Sequence, residues 1–190
     1  GKYDPADVRR TQWLEGPQYD KEGQPLLLND GSQLDYTPHI TSLFDSSNPA
    51  RANEGVRSAK YEYADGLQGE CMNNDYVVYR YADVLMMKGE ALVRQGHADL
   101  AVPLFNEVRK RTGLPDYEAA DLTLDEIYDE RGREFAWEGL RRQDMIRFGK
   151  WCEPRDLKPA VSPEYTKLYP IPADIRKTNA NLKQNDGYPD

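Results

Sequence analysis

The chain has 190 residues, with 25 Lys+Arg against 33 Asp+Glu and a net charge of −8. That balance excludes a dedicated nucleic-acid binder, whose phosphate contacts need a basic surface. The longest apolar run, Val84 to Met87, is far too short to cross a membrane as a helix. Leu, Ile, Val and Phe make up only 19% of the chain, the composition boundary for disorder, but 13 Tyr and 3 Trp restore a folded character.

Proline placement divides the chain. Eleven of the 13 prolines fall before Ala50 or after Cys152. Proline interrupts helices and sheet ladders, so the ends read as irregular and the middle as regular. Residues 1–75 read as a loop-rich segment. Gly16-Pro17, Asp30-Gly31, Asn48-Pro49 and Asp65-Gly66 are turn dipeptides. Ala59 to Ala64 alternates Tyr61 and Tyr63, a weak strand signal.

Residues 76–150 read as helical. Val78, Tyr81, Leu85, Gly89 and Leu92 form one stripe of a helix over 76–96, which Gly96 stops. A second helix over 98–112 carries Ala98, Ala101, Phe105 and Val108, with Pro103 in its first turns and Gly113 at its end. The short linker makes the two an antiparallel pair. Gly89 and Ala101 lack bulk where the helices must approach, and Leu85, Leu92 and Phe105 fill the flanks. This is tetratricopeptide-type spacing. One such unit cannot bury both faces, so it implies neighbours.

A third helix opens at Thr123, where Thr123 and Glu126 form a capping box. Leu124, Ile127, Tyr128, Phe135 and Ala136 are its stripe, and Gly139 breaks it. A fourth helix, about 141–150, carries Met145, Ile146 and Phe148. Residues 151–190 form a Pro-rich tail that is expected to pack on the scaffold.

Glu130, Glu134 and Glu138 stack on one helix face, where like charges repel unless cations intervene. Arg131, Arg133, Arg141 and Arg142 are within reach by spacing, and Asp144 has Arg141 and Arg147 three residues to either side. The pattern reads as a structural ion-pair network of Glu130, Glu134, Glu138, Arg141, Asp144 and Arg147. The competing reading is a glycoside-hydrolase pair of Glu130 and Glu138. Carboxylates so closely matched by Arg stay ionised and make poor acids, which favours the network.

No catalytic residues and no cofactor follow from the sequence. His39 and His97 lack zinc spacing, and there is no nucleophile elbow or P-loop. His97 reads as a solvent-facing capping residue at a helix junction. Cys71 and Cys152 fit a single bridge or two free thiols equally well. The aromatics Tyr3, Trp13, Tyr19 and Tyr36 lie in the loop-rich part. Planar rings on loops offer apolar faces to sugar C–H groups, which makes these four the candidate ligand-binding residues. The plainer reading is that they pin loops to the helical core.

Three blocks together carry a resemblance. The first is Tyr79-Arg80-Tyr81-Ala82-Asp83-Val84-Leu85-Met86-Met87-Lys88-Gly89-Glu90-Ala91-Leu92, followed by Asn106, Arg109, Arg111 and Gly113-Leu114. The second is Glu130-Arg131-x-x-Glu134 with Glu138-Gly139-x-Arg141-x-x-Asp144-x-x-Arg147. The third is Tyr169-Pro170-Ile171-Pro172-x-x-Ile175, then Asn181-Leu182-x-Gln184-Asn185-x-Gly187-Tyr188. In this order they resemble the C-terminal half of SusD/RagB-family proteins. Gly132, Arg142 and Asp186 depart from the family's common Arg, Trp and Pro.

The resemblance implies a mainly α fold of tetratricopeptide-like helix pairs with long irregular loops and little strand. It implies an outer-membrane, cell-surface lipoprotein, not an enzyme, that binds an oligosaccharide or other nutrient for a SusC-like TonB-dependent transporter. A lipid anchor would lie outside this chain, and the chain would be a C-terminal portion. The alternative functional reading is a tetratricopeptide-type protein-interaction scaffold.

Overall fold

The computed structural model describes residues 3–41, 49–61, 72, 74–179 and 181–189. The signals at Tyr63, Ala64, Asp65-Gly66, Asn48 and Cys71 lie outside these residues. The chain forms two compact units, Gly1–Arg141 and Arg142–Asp190. It is mainly helical, and its strands are only two residues long.

The first unit begins with a 3-10 turn, Val8–Gln12, capped by Asp7, whose Oδ1 accepts from Arg9 N at 2.9 Å. Strand β1 (Trp13–Leu14) pairs antiparallel with β4 (Arg57–Ser58), and β2 (Gly16–Pro17) with β3 (Asp35–Tyr36). Gly16-Pro17, expected as a turn, is therefore a strand; Gly16 absorbs the change of direction at φ 83°. Between β2 and β3 the chain makes three passes. Leu26 N donates to Gln18 O (3.0 Å), Leu34 N to Leu26 O (2.7 Å) and Gln18 N to Leu34 O (2.8 Å). The turns joining them are held by Asp20 and Asp30, whose Oδ1 atoms accept from Gln24 N at 2.7 Å and Ser32 N at 2.9 Å.

Helix α1 spans Tyr81–Arg94 and α2 spans Ala98–Arg109. The expected start at 76 is too early. Arg80 is extended at φ −143°, ψ 163° and sends its side chain to Glu138, so the helix begins after it. Val78 and Tyr81 are consequently 65% and 71% exposed, not part of the buried stripe. Met86, absent from that stripe, is fully buried beside Leu85. Gly96 at φ 84° ends the helix, and His97 N donates back to Leu92 O at 2.9 Å. His97 is exposed at the N-cap of α2, without a side-chain cap bond. Tyr79, Tyr81, Val84 and Met87 line an exposed apolar face of this region.

The close approach expected at Gly89 is present. A Cβ placed there would sit 2.4 Å from Phe105 Cε2, and Phe105 is buried with Ala101 and Val108 on α2. Gly89→Ala gains about 1 kcal/mol of helix propensity. Overpacking against a locked ring costs about 1–3 kcal/mol. We expect net destabilisation of up to about 2 kcal/mol in urea denaturation. An increase in stability would show that α2 yields at Phe105.

Helix α3 spans Leu124–Glu134. Thr123 Oγ1 accepts from Glu126 N at 3.1 Å, which is half of the expected capping box. Its other half is not made, because the Glu126 carboxylate accepts the Tyr117 hydroxyl at 2.6 Å and pairs with Arg133. Ile127, Tyr128 and Phe135 are buried, whereas Leu124 is 38% exposed. The helix stops before Gly139, and Trp137 is the first left-handed residue at φ 63°. Gly132 leaves room for Arg141, whose guanidinium stacks 3.6 Å from the Tyr128 ring and donates to Tyr128 O at 2.7 Å. A Cβ at Gly132 would meet Arg141 Nη1 at 2.7 Å.

Helix α4, Arg141–Arg147, is shorter than expected, and Lys150 N folds back to Met145 O at 2.7 Å after it. The second unit holds more regular structure than its prolines suggest: a 3-10 turn at Glu164–Lys167 and helix α5, Ala173–Thr178. Arg142, at the departure from a common Trp, lies over the rings of Trp151 (4.8 Å) and Tyr169 (3.9 Å) and donates to Thr166 O and Lys167 O. Gly187 allows Tyr165 and Tyr188 to meet edge to face at 4.7 Å. Cys152 is buried with a free thiol.

Candidate functional site

The acidic face of α3 is the most strongly determined polar feature of the first unit. Glu130 and Glu134 are about 1–2% exposed, and Glu138 is 5% exposed. Burying charge is costly unless each group is paired. Arg9 Nη1 lies 2.8 Å from Glu130 and 3.0 Å from Glu134, and its Nη2 lies 2.7 Å from Asp7. Arg133 reaches Glu130 at 2.7 Å. Arg80 reaches Glu134 at 2.6 Å and Glu138 at 2.7 Å. Arg111 also pairs with Glu134, and Lys60 with Glu138.

Most of these cations come from outside the helix. Of the four Arg near in sequence, Arg133 joins the cluster, Arg131 pairs with Asp83 of α1 at 2.9 Å, and Arg141 and Arg142 lie on aromatic rings. Asp144 is buried and pairs with Arg147 at 2.8 Å. Sequence spacing overlooks Arg9, Lys60, Arg80 and Arg111. The last two stand in the first motif block, which was their available signal.

Burial pushes the carboxyls of Glu130, Glu134 and Glu138 up, but the guanidinium and ammonium partners outweigh it. Arg9 and Arg133 hold Glu130 below the usual carboxylate range; Arg80 and Arg111 do so for Glu134, and Arg80 and Lys60 for Glu138. Burial, with Glu130 and Glu126 beside it, pushes the Tyr117 phenol up, so it stays a neutral donor. Ionised, fully matched carboxylates do not supply a proton at neutral pH.

The four candidate aromatics are placed differently. Tyr3 and Trp13 meet edge to face, with centroids 6.5 Å apart. Both line a half-open cleft of about 880 Å³ together with Val8, Pro38 and Val56, while Arg10, Thr11 and Glu15 supply polar groups. Tyr3 is fixed by donating to Arg133 O at 2.9 Å and accepting from Gln12 Nε2 at 2.8 Å. Tyr36 lies outside the cleft lining, with the Arg57 guanidinium 4.6 Å over its ring. Tyr19 is 56% exposed on the three-pass arm and is also outside the lining. A cleft of paired rings with a few polar groups suits a ligand with apolar faces and hydroxyls. Among the described residues, no group of His, Cys, Asp and Glu is arranged to hold a metal ion.

A family model described as the SusD family matches residues 1–188. The chain belongs to the SusD family. It is 34% identical over 125 residues to the starch-binding protein SusD of Bacteroides thetaiotaomicron, covering 61% of this chain and 22% of that protein. The solved surface glycan-binding protein A of Bacteroides thetaiotaomicron matches 97% of this chain and 39% of its own, at 25% identity and a TM-score of 0.63. Its complex with laminarihexaose matches 60% of this chain and 25% of its own, at 33% identity and a TM-score of 0.51. The chain thus spans between 22% and 39% of the lengths of these proteins. Helix α3 carries the charged cluster, and the irregular segment before α1 carries the rings.

Proposed function

We propose that this SusD-family chain is part of a non-catalytic, cell-surface glycan-binding protein of the outer membrane. Its oligosaccharide is handed to a SusC-like TonB-dependent transporter. The supporting observation is the Tyr3–Trp13 cleft on a chain whose family relatives include a surface glycan-binding protein solved with laminarihexaose. Trp13 presents the ring, and Tyr3, pinned to α3 through Arg133 O, holds it in place. Tyr19, exposed on the arm, remains a candidate for an extended ligand, and Tyr36, half-buried beneath Arg57, remains a candidate by ring chemistry alone.

Calorimetric titration with a panel of neutral oligosaccharides, laminarihexaose included, tests this. We expect saturable binding, no product, and a loss of about 30-fold, or ~2 kcal/mol, on Trp13→Ala. Failure of every carbohydrate to bind overturns the reading. A protein-docking role finds support in the exposed Tyr79, Tyr81, Val84 and Met87. Charge reversal beside that face would then abolish co-purification with the transporter and leave glycan affinity intact. The hydrolase reading has little support, because Glu130 and Glu138 are both held ionised by cations.

A further inference from the structure

The Tyr3–Trp13 cleft holds two charged side chains that the fold does not use. Arg10 and Glu15 both line it and both are exposed. Neither side chain makes a hydrogen bond or ion pair among the described residues. The other polar groups of the lining are taken. Tyr3 bonds to Arg133 O and Gln12, Asp7 pairs with Arg9, and Thr11 donates to Val8 O at 2.8 Å. The Trp13 indole N–H is shut off from solvent, so that residue brings only its ring.

Local geometry sets both charges beside that ring. Arg10 N donates to Asp7 O at 3.0 Å, and Trp13 N donates to Arg10 O. Arg10 therefore stands one 3-10 turn ahead of Trp13, and side chains three apart in such a turn lie on one side. Glu15 follows directly on β1, two residues beyond Trp13, which turns both to the same face. Leu14, between them, is not in the lining. The backbone to either side of Glu15 is tied down, β1 to β4 and β2 to β3. Both charged residues thus spring from fixed backbone, which lowers the ordering cost of binding.

We propose that Arg10 and Glu15 grip adjacent free hydroxyls of a sugar stacked on Trp13, and that they select for linkage. The inference rests on the glycan-binding reading and names the class of sugar. A guanidinium fork offers parallel donors, and a carboxylate offers two acceptor oxygens, so each matches a pair of neighbouring hydroxyls. Their charges cancel, which suits an uncharged ligand. A 1,4-linked hexose chain keeps O2 and O3 free on every residue. A 1,3-linked chain spends O3 on the linkage and lacks that pair along its interior.

Calorimetric titration of the full chain with maltohexaose, cellohexaose and laminarihexaose tests this. At least one of the 1,4-linked sugars should bind about 5-fold or more tightly than the 1,3-linked laminarihexaose. Arg10→Met and Glu15→Leu should each weaken that sugar about 10-fold and erase the linkage preference. Arg10→Lys keeps the charge without the fork and should stay at least about 3-fold weaker than the parent. Thermal melts of all three variants should match the parent, since no side-chain partner is lost; a variant that fails to melt as the parent does leaves the linkage preference of the parent to decide. No preference for a 1,4-linked sugar, binding of none of the three, a single variant within about 2-fold of the parent, or full recovery by Arg10→Lys overturns the inference. The wider panel with Trp13→Ala decides the glycan-binding reading separately, so the two can fail independently.

Discussion

Replacing Glu134 with Ala should lower the stability of the chain by about 3–5 kcal/mol, the usual cost of stranding buried charge. Glu134 is 2% exposed and is shared by Arg9, Arg80 and Arg111. Its removal leaves three guanidinium groups around a cavity: Arg9 keeps Asp7 and Glu130 and Arg80 keeps Glu138, but each loses a buried partner and Arg111 loses its carboxylate. Arg9 stems from the irregular segment, Arg80 precedes α1 and Arg111 follows α2, so one carboxylate fastens three separate parts of the chain to α3. Urea denaturation measures the loss. A change below 1 kcal/mol would mean that solvent reaches the cluster and screens it. Glu134→Gln tests the same point with volume kept, and it should recover only the packing part of the cost.

Acid should undo the same cluster. Glu130 and Glu134 are held below the ordinary carboxylate value of 4.5 by their Arg partners. The unfolded chain therefore takes up these protons first as pH falls. Stability from the pairs is complete above about pH 5, declines below it, and is gone once the native carboxylates are also protonated. Each such proton steepens the decline by at most ~1.4 kcal/mol per pH unit, so the two together give up to about 3. Glu138 and Asp7 titrate in the same sense. Thermal melts should be flat between pH 7 and 5 and fall steeply below 4.5. Melts that stay level to pH 3 would contradict the assignment of these groups as ionised anchors.

The helices were legible in the sequence because their signals are local. Gly89, Ala101 and Phe105 announce the close pair through spacing alone, and Thr123 announces the start of α3. The acidic stack was legible too, since Glu130, Glu134 and Glu138 at intervals of four cannot lie together without cations. The source of those cations was not. Arg9 and Lys60 sit more than 70 residues upstream, in segments with no periodicity to fix their facing. The same applies to the rings. Composition marks Tyr3, Trp13, Tyr19 and Tyr36 as a class, but only tertiary placement puts two of them in one cleft. The start of α1 is hidden from the sequence for a related reason. Val78 continues the helical period, yet Arg80 is committed to Glu138 and must leave the helix to reach it.

The arm between β2 and β3 has a consequence for solubility. Gln18, Leu26 and Leu34 each give a backbone N–H to one neighbour and a carbonyl to the other, so the trio closes on itself. Tyr19 and Leu27 project outward from it, 56% and 64% exposed. Greasy side chains on an open strand would recruit further chains by edge-to-edge pairing. At this point the arm has no vacant edge to offer, so it can display those side chains to a visitor without seeding fibrils.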